Sequence, residues 1–255
     1  MNLVIEDVKR SECFQIIFQN IRQFSDKFCI NFRENDVYIQ GMDDSHVAIF
    51  EVSLCKDWFS VYECQEPFTI GIHGGIFSKI LNTRDPIQHI SMKTSSDTLD
   101  KLDVSFTHPT GSFNKFFEMP LIDYESEMMV IPPCDYNVSM EIESKEWKKI
   151  LDQLSNFGDN VQFKCKEDSV HLITGSIEGN MDVNILSDNI ETYIVDEGCD
   201  ISTQFQLRYL QVMSNFQKLN KNLTIMMSPD IPCCCNFNLH GDSYIKFFLA
   251  PQIED

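Results

Sequence analysis

The sequence predicts an α+β protein that contains two copies of one domain, each with two helices packed on antiparallel sheets. Three observations lead to this prediction. The chain repeats itself at a shift of 133 residues, each repeat alternates between helical and strand patterns, and an acidic segment outside the repeat separates the copies. A chain of 255 residues with 43% hydrophobic residues is long enough to bury a sizeable core in one large or two ordinary domains.

The duplication is clearest in the first amphipathic segment. The shift of 133 residues places its apolar positions on apolar positions of the second copy: Phe14 on Trp147, Ile17 on Ile150, Phe18 on Leu151, Ile21 on Leu154 and Phe24 on Phe157. Near the ends the shift becomes 131, and residues 115–120 (KFFEMP) match residues 246–251 (KFFLAP). The predicted domains are residues 1–120 and 136–255, joined by an extended linker over residues 121–135.

Each copy alternates between two periodicities. The spacing from Phe14 to Phe24 is that of one helical face, and residues 147–157 repeat it. Second helices are expected over residues 75–82 and 207–216, and short alternating runs between the helices predict strands. Gly74 and Gly75 are expected to start a helix, while a phosphate-cradling role for this glycine pair is the weaker alternative.

Charge is distributed unevenly along the chain. The net charge is −19, yet the regions 13–24, 74–84, 145–156 and 205–222 together carry +7, so the remainder carries −26. A preference of basic residues for helices does not explain this, because acidic residues favour helices equally well. We therefore expect the helices to turn one mildly basic face toward the backbone of double-stranded DNA. The candidate DNA-facing residues are Arg22, Lys79, Arg84, Lys148, Lys149, Arg208, Lys218 and Lys221.

Motifs for catalysis and for cofactors are not found in the sequence. The ten cysteines contain no C-x-x-C pair, and the six histidines contain no H-x-x-x-H arrangement. A nucleophile elbow and a P-loop are also missing. We expect no enzyme activity, no cofactor and no metal, although scattered carboxylates leave a metal site open. No apolar run of membrane-spanning length and no leader pattern is seen, so a soluble, unexported protein is expected.

Four blocks of sequence resemble one family. Residues 37–54 (VYIQGMDDSHVAIFEVSL), 207–210 (LRYL), 228–232 (SPDIP) and 246–255 (KFFLAPQIED) are similar to the signatures of eukaryotic-type DNA sliding clamps, the proliferating cell nuclear antigen family, in the same order and spacing. The resemblance spans essentially the whole chain. It implies the DNA clamp fold and a non-enzymatic processivity factor in replication and repair.

The resemblance also implies a homotrimer that closes head to tail into a ring. In the family, an edge strand of one domain pairs with an edge strand of the next subunit, and by position these are residues 112–118 and 177–185. A simple internal strand is the alternative for the first of these segments. The implied interface residues are Phe113, Lys115, Phe116, Phe117, Ile177, Met181, Val183 and Ile185.

A docking pocket for partner peptides is the second implication. In the family it lies under the interdomain linker and accepts a helical turn with aliphatic and aromatic anchors. The implied lining is Met42, His46, Val47, Ile49, Met129, Ile131, Pro232, Phe248, Ala250 and Pro251. Phe248 stands where a tyrosine is usual. The partners implied are DNA polymerase, other proteins with the peptide motif, and a clamp loader, with no membrane partner.

Several positions depart from the family pattern. Positions that are commonly basic hold Gln15, Ile16, Asp152, Asn156 and Asn215, so DNA contact is expected to be weaker. A lysine that many members modify is replaced by Glu167, next to Lys166. Such divergence fits a distant or virus-encoded member, acting in the nucleus or in a viral replication compartment. A monomeric processivity factor and a subunit of a heterotrimeric checkpoint clamp share the fold and remain the alternatives.

Overall fold

The computed structural model describes residues 1–94, 100–111 and 113–252. The chain forms two compact units. The first comprises Met1–Asp44, Phe50–Met129 and Asn238–Ile245, and the second comprises Ser45–Ile49, Val130–Phe237 and Lys246–Asp255. The domain boundaries expected from the sequence stay a prediction. Residues 123–136, which follow an isolated bridge between Gly71 and Ile122, contain no helix or strand.

Helices and strands alternate along the chain as short elements. The helices are α1 (Val8–Ile21), α2 (Gly74–Leu81), α3 (Ser144–Leu154) and α4 (Leu207–Ser214). The strands are β1 (Asn2–Ile5), β2 (Lys27–Phe32), β3 (Asp36–Met42), β4 (Ala48–Cys55), β5 (Val61–Glu63), β6 (Phe68–His73), β7 (His89–Lys93), β8 (Lys101–Thr107), β9 (Lys115–Pro120), β10 (Val138–Glu143), β11 (Asn160–Cys165), β12 (Ser169–Ser176), β13 (Gly179–Leu186), β14 (Thr192–Val195), β15 (Ile201–Gln206), β16 (Asn222–Met227), β17 (Cys233–Asn238) and β18 (Tyr244–Leu249).

The first unit packs α1 and α2 on antiparallel strands. One sheet has the order β5-β1-β7-β8-β9, and β4, β3, β2 and β6 are neighbours in that order. The register pairs Ile30 with Ile39 and with Ile70, and all three side chains are buried. On the helices, the rings of Phe14 and Phe18 lie 4.6 Å apart, and Phe18 meets Phe77 of α2 edge to face at 4.8 Å. Phenylalanine contacts therefore form much of this core.

The second unit repeats this arrangement. Its four-stranded sheet has the order β13-β12-β11-β15, and β14, β10, β16, β17 and β18 are neighbours in that order. Trp147 of α3 is buried against Phe163 of β11, with ring centroids 6.0 Å apart. Phe163 in turn meets Phe205 of β15 edge to face at 5.5 Å. The predicted α+β fold, with two helices on antiparallel sheets in each copy, is confirmed.

Helices α1 and α3 begin before the apolar positions that predicted them. The first helix begins at Val8, well before Phe14, because the carboxylate of Asp7 accepts a hydrogen bond from the Arg10 N–H at 2.8 Å and caps the helix. It ends at Ile21, and Phe24 is buried just beyond it. Likewise α3 begins at Ser144, ahead of Trp147. Apolar periodicity located the buried faces of α1 and α3, whereas a side-chain cap set the start of α1.

The three consecutive cysteines lie on β17, and all three are buried. Successive side chains on a strand point to opposite faces, so both faces of β17 are covered at this point. The described residues contain no helix long and apolar enough to cross a membrane.

Candidate DNA-facing, docking and assembly surfaces

On the first unit, the exposed sides of α1 and α2 meet in a polar surface. The Gln19 amide of α1 donates a hydrogen bond to Asn82, the residue that follows α2. Arg22 caps the C-terminus of α1, is exposed, and donates from Nε to the Gln19 carbonyl at 3.2 Å. Lys79 lies three residues before Asn82 and is exposed on the same side of α2. Two of the predicted DNA-facing residues, Arg22 and Lys79, therefore lie on one exposed surface.

Arg84 does not belong to that surface. Its residue is only 7% exposed, and its Nη1 donates to the carbonyls of Asp85, Pro86 and Gln88 at 3.3, 3.0 and 2.9 Å. Burial is the leading reason that its pKa is lowered. The prediction that Arg84 faces DNA is wrong, because the guanidinium is turned into the protein and occupied by its own loop.

On the second unit, α3 and α4 form the corresponding surface. Gln211 of α4 donates to the Ser155 hydroxyl, next to the end of α3, at 3.0 Å. Arg208 is exposed in the first turn of α4, where its guanidinium lies 4.6 Å from the ring centroid of Tyr209. A polar groove of about 670 Å³ is lined in part by Ser155, Asp159, Arg208 and Gln211. The groove holds a guanidinium and a carboxylate together, so its basic character is weak.

Two of the predicted basic contacts on α3 are neutralised within the helix. Lys148 pairs with Asp152, and Lys149 pairs with Glu146, each at 3.2 Å. The surface of α3 therefore contributes little net positive charge. Ion pairs between exposed side chains are weak, and phosphate groups could compete for these lysines.

The remaining basic candidates lie outside the helix. The sequence placed Lys218 and Lys221 in one helical region with Arg208, but α4 ends at Ser214. Lys218 lies in the following turn, and Lys221 lies directly before β16. They are exposed, and neither forms an ion pair with the residues that the structure describes. Their ammonium groups are therefore available to an external anion.

The first candidate assembly surface is strand β9, at one edge of the five-stranded sheet. The strand begins at Lys115, so Phe113 precedes it, and Ser112 lies outside the described residues. Phe116 is 74% exposed, whereas Phe117 points to the other face, with its ring 5.6 Å from that of Phe106. The Lys115 ammonium is held by Asp85 at 2.9 Å. An exposed aromatic side chain on an edge strand is a surface that pairing with another strand would protect.

The second candidate assembly surface is β13, at one edge of the four-stranded sheet. Met181, Val183 and Ile185 alternate with exposed residues and are half-buried on one face. Ile177 does not lie on the strand, as was expected, but in the turn before it, and it is fully exposed. The turn accounts for this difference, because Gly179 has a φ of +147°, a conformation that favours glycine, where β13 begins.

The docking residues of the first unit are positioned by a buried amide. Gln40 of β3 is 4% exposed, its Nε2 donates to the Met129 carbonyl at 3.0 Å, and its Oε1 accepts from the Met129 N–H at 2.7 Å. Met42 lies two residues further along β3 and is half-buried. Side chains two apart on a strand share a face, so Met42 follows on the face where Gln40 holds the linker backbone.

The docking residues of the second unit come from four segments. The Ala250 N–H donates to the Val47 carbonyl at 3.0 Å, which brings the C-terminal segment against residues 45–49. The Tyr136 hydroxyl donates to the Pro232 carbonyl at 3.5 Å. Half-buried side chains at these places include Val47, Ile49, Ile131, Phe248, Ala250 and Pro251, while Pro232 and His46 are exposed. Residues 253–255 of the C-terminal sequence block lie outside the described residues.

Sequence reasoning missed Gln40 and Gln88. Both are buried amides, and each binds the backbone of a segment that also holds a predicted site residue. A glutamine in an apolar alternating strand is the one available signal for Gln40, since a buried amide requires partners. Gln88 lies in a loop and gives no such signal.

The part of the chain that the structure describes contains no group of three or more histidine, cysteine, aspartate or glutamate side chains that could hold a metal.

Comparison with known families covers nearly the whole chain. Residues 5–128 match the family model described as "Proliferating cell nuclear antigen, N-terminal domain", and residues 130–252 match the one described as "Proliferating cell nuclear antigen, C-terminal domain". The two matches follow one another in chain order, as the internal duplication requires. The chain therefore belongs to the proliferating cell nuclear antigen family, and its general function is that of a DNA sliding clamp.

Proposed function

We propose that the chain assembles into a closed homotrimeric ring that encircles duplex DNA and holds a DNA polymerase on its template. The observation that supports assembly most directly is the edge strand β9, which exposes Phe116 while Phe117 packs inward. Strand β13 offers a second edge with an apolar face made of Met181, Val183 and Ile185. Pairing β9 of one subunit with β13 of the next would leave neither edge open.

The helix surfaces support a DNA-facing role of modest strength. Arg22, Lys79, Arg208, Lys218 and Lys221 are exposed and free of ion pairs with the described residues. In a protein with a net charge of −19, such a surface attracts phosphates only weakly. A ring held on DNA by its closed shape can still slide, which is what a processivity factor requires.

The docking function is proposed from the burial and the chemistry of the predicted pocket residues. The half-buried apolar residues of the predicted docking set, on each unit taken by itself, suit the anchors of a short helical peptide. Methionine side chains such as Met42 and Met129 adapt to different ligands. We expect a DNA polymerase, other partners with the same peptide motif, and a clamp loader to bind here. The site of action would be the nucleus or, for a virus-encoded member, the viral replication compartment.

Two measurements test this function. Light scattering at low micromolar concentration should give three times the subunit mass of 29.6 kDa. The loaded protein should stay on circular duplex DNA through a high-salt wash and leave when the circle is cut, because only a topological link depends on closure. A mass of one subunit would instead support a monomeric factor. A trimer that leaves circular and cut DNA equally would contradict the encircling ring.

A further inference from the structure

The loop between α2 and β7 is organised by the buried arginine that the charge pattern had assigned to DNA. Arg84 donates from one nitrogen, Nη1, to three carbonyls of its own loop, those of Asp85, Pro86 and Gln88. Its Nε lies 3.4 Å from Gln15 Oε1 on α1. Arg84 therefore holds three carbonyls of a loop that has no helix or strand of its own, and it also contacts α1.

Burying a guanidinium is unfavourable unless its donors are satisfied. A guanidinium presents several donors in a fixed plane, so it can hold loop carbonyls in a set geometry that a lysine could not reproduce. Hydrogen bonds to a charged group are also stronger than those between neutral groups. The conformation of residues 84–88 therefore depends on Arg84.

The same loop holds the beginning of the edge strand. The Gln88 side chain accepts from the Asp85 N–H at 3.0 Å and donates to the Phe113 carbonyl at 2.8 Å. The Lys115 ammonium reaches back to the Asp85 carboxylate at 2.9 Å and to the Thr83 carbonyl. Two side chains, Gln88 and Lys115, thus join residues 83–88 to the segment that starts β9.

The segment held in this way is the one that exposes aromatic side chains. Phe113 is 76% exposed and Phe116 is 74% exposed, although the backbone at Phe113 and the side chain at Lys115 are both tied to the loop. Preorganised groups bind with less loss of conformational freedom. The loop therefore fixes an assembly surface in advance of assembly.

We propose that Arg84 is a positioning residue for subunit assembly, acting through the loop 84–88 and Gln88 on the edge strand β9. This inference rests on the proposed homotrimer. It predicts that removing the guanidinium weakens the contact between subunits out of proportion to its effect on the stability of the fold.

Arg84→Met removes the donors and keeps an apolar chain of similar length. Arg10→Met is the matched control, because Arg10 Nη1 also donates to two backbone carbonyls, of Asp57 and Trp58, at 2.7 and 3.3 Å. These two residues belong to a short 3-10 helix that precedes β5, at the opposite edge of the same sheet. Sedimentation equilibrium gives the concentration at which half of each protein is trimeric, and thermal melting gives the stability of the fold.

Arg84→Met should raise the half-assembly concentration by about tenfold or more, as expected for losing charged hydrogen bonds. Arg10→Met should change it by less than about twofold while lowering the melting temperature to a similar extent. If Arg84→Met does not fold, Gln88→Met leaves Arg84 in place and should weaken assembly in the same direction. A folded Arg84→Met or Gln88→Met protein that assembles like the wild type would overturn the proposal. A wild-type protein that stays monomeric would instead remove the homotrimer itself.

Discussion

Burial separates the polar side chains that act at a surface from those that organise the backbone. Arg208 and Arg84 look alike in the sequence, since each adjoins an apolar helical pattern in a region without acidic residues. In the structure Arg208 is exposed and Arg84 is turned inward. Gln40 is buried as well, and its amide holds a segment that is distant in sequence. The role of each residue follows from its partners.

The Gln40 amide should determine how firmly the linker is held. In Gln40→Leu the two hydrogen bonds to Met129 are lost, and the linker backbone is left without these partners. We expect residues 125–131 to be cut several-fold faster by a nonspecific protease, measured by mass spectrometry of early fragments. Gln65→Leu, a change at an exposed loop residue, is the control. Equal cleavage rates in both variants would show that Gln40 does not anchor the linker.

Cys165 should make the fold less stable in alkaline solution. Its side chain is fully buried, and burial, followed by the nearby Cys199, raises its pKa from 9.0 to about 12. Between these values the folded protein keeps a proton that the unfolded chain has released, so stability falls as pH rises. One such group contributes a slope of about 1.4 kcal/mol per pH unit.

Urea unfolding at pH 8.5, 9.5 and 10.5 measures this slope. In Cys165→Ala, the unfolding free energy should fall less steeply with pH, by about 1.4 kcal/mol per pH unit. Thr203→Val changes another buried residue, in the neighbouring strand β15, without removing a titrating group, and should keep the wild-type slope. The same slope in the wild type and in Cys165→Ala would contradict the assignment.

For strands β9 and β13, a role in assembly depends on position in the sheet as much as on composition. Both alternate between the two faces, as their sequences indicate, and both lie at an edge. The alternation was readable from the sequence, because side chains on a strand point to opposite faces in turn. That these strands lie at edges depends on which strands pair, and pairing joins residues far apart in the chain.

A charge on the β9 edge should block assembly. In Phe116→Lys, an exposed aromatic residue on the edge strand is replaced by an ammonium group, a device that natural edge strands use against pairing. We expect light scattering to report the 29.6 kDa monomer in place of the trimer, with the fold intact by circular dichroism. Ile194→Lys is matched, since Ile194 is also exposed on an edge strand, β14, and this variant should stay trimeric. A trimeric Phe116→Lys protein would exclude β9 from the interface.

Over the whole molecule, the net charge is uneven: the regions 13–24, 74–84, 145–156 and 205–222 together carry +7, and the rest of the chain carries −26. Two of the helix lysines, Lys148 and Lys149, are paired internally. The exposed cations of the helix regions that form no ion pair with the described residues are few for a chain with a net charge of −19. Attraction to DNA should therefore be weak and sensitive to salt, and retention should depend on closure of the ring.

Replacing Arg208, Lys218 and Lys221 by glutamine should weaken DNA binding and lower its dependence on salt. Each phosphate contact contributes a slope of about −0.9 to the plot of log affinity against log salt concentration. Binding to short duplex DNA over a range of salt should therefore show a shallower slope for this triple variant. A control variant with Lys27, Lys56 and Lys166 changed to glutamine loses the same charge from exposed positions outside α1–α4. If both variants lower the slope equally, net charge rather than the helix surface governs binding.

The sequence by itself determined the duplication, the helix and strand pattern and the family, because these depend on local periodicity and on motifs that lie close together in the chain. It also located the buried face of α1 through Phe14, Ile17 and Phe18. It could not assign roles to Arg84, Gln40 or Gln88, because the sequence does not show whether a polar side chain points outward or inward. Their roles were decided by the tertiary structure, where hydrogen bonds to Gln15, Met129 and Phe113 link positions 69, 89 and 25 residues apart. Satisfying a buried polar group requires partners from distant segments, and only the folded chain brings those together.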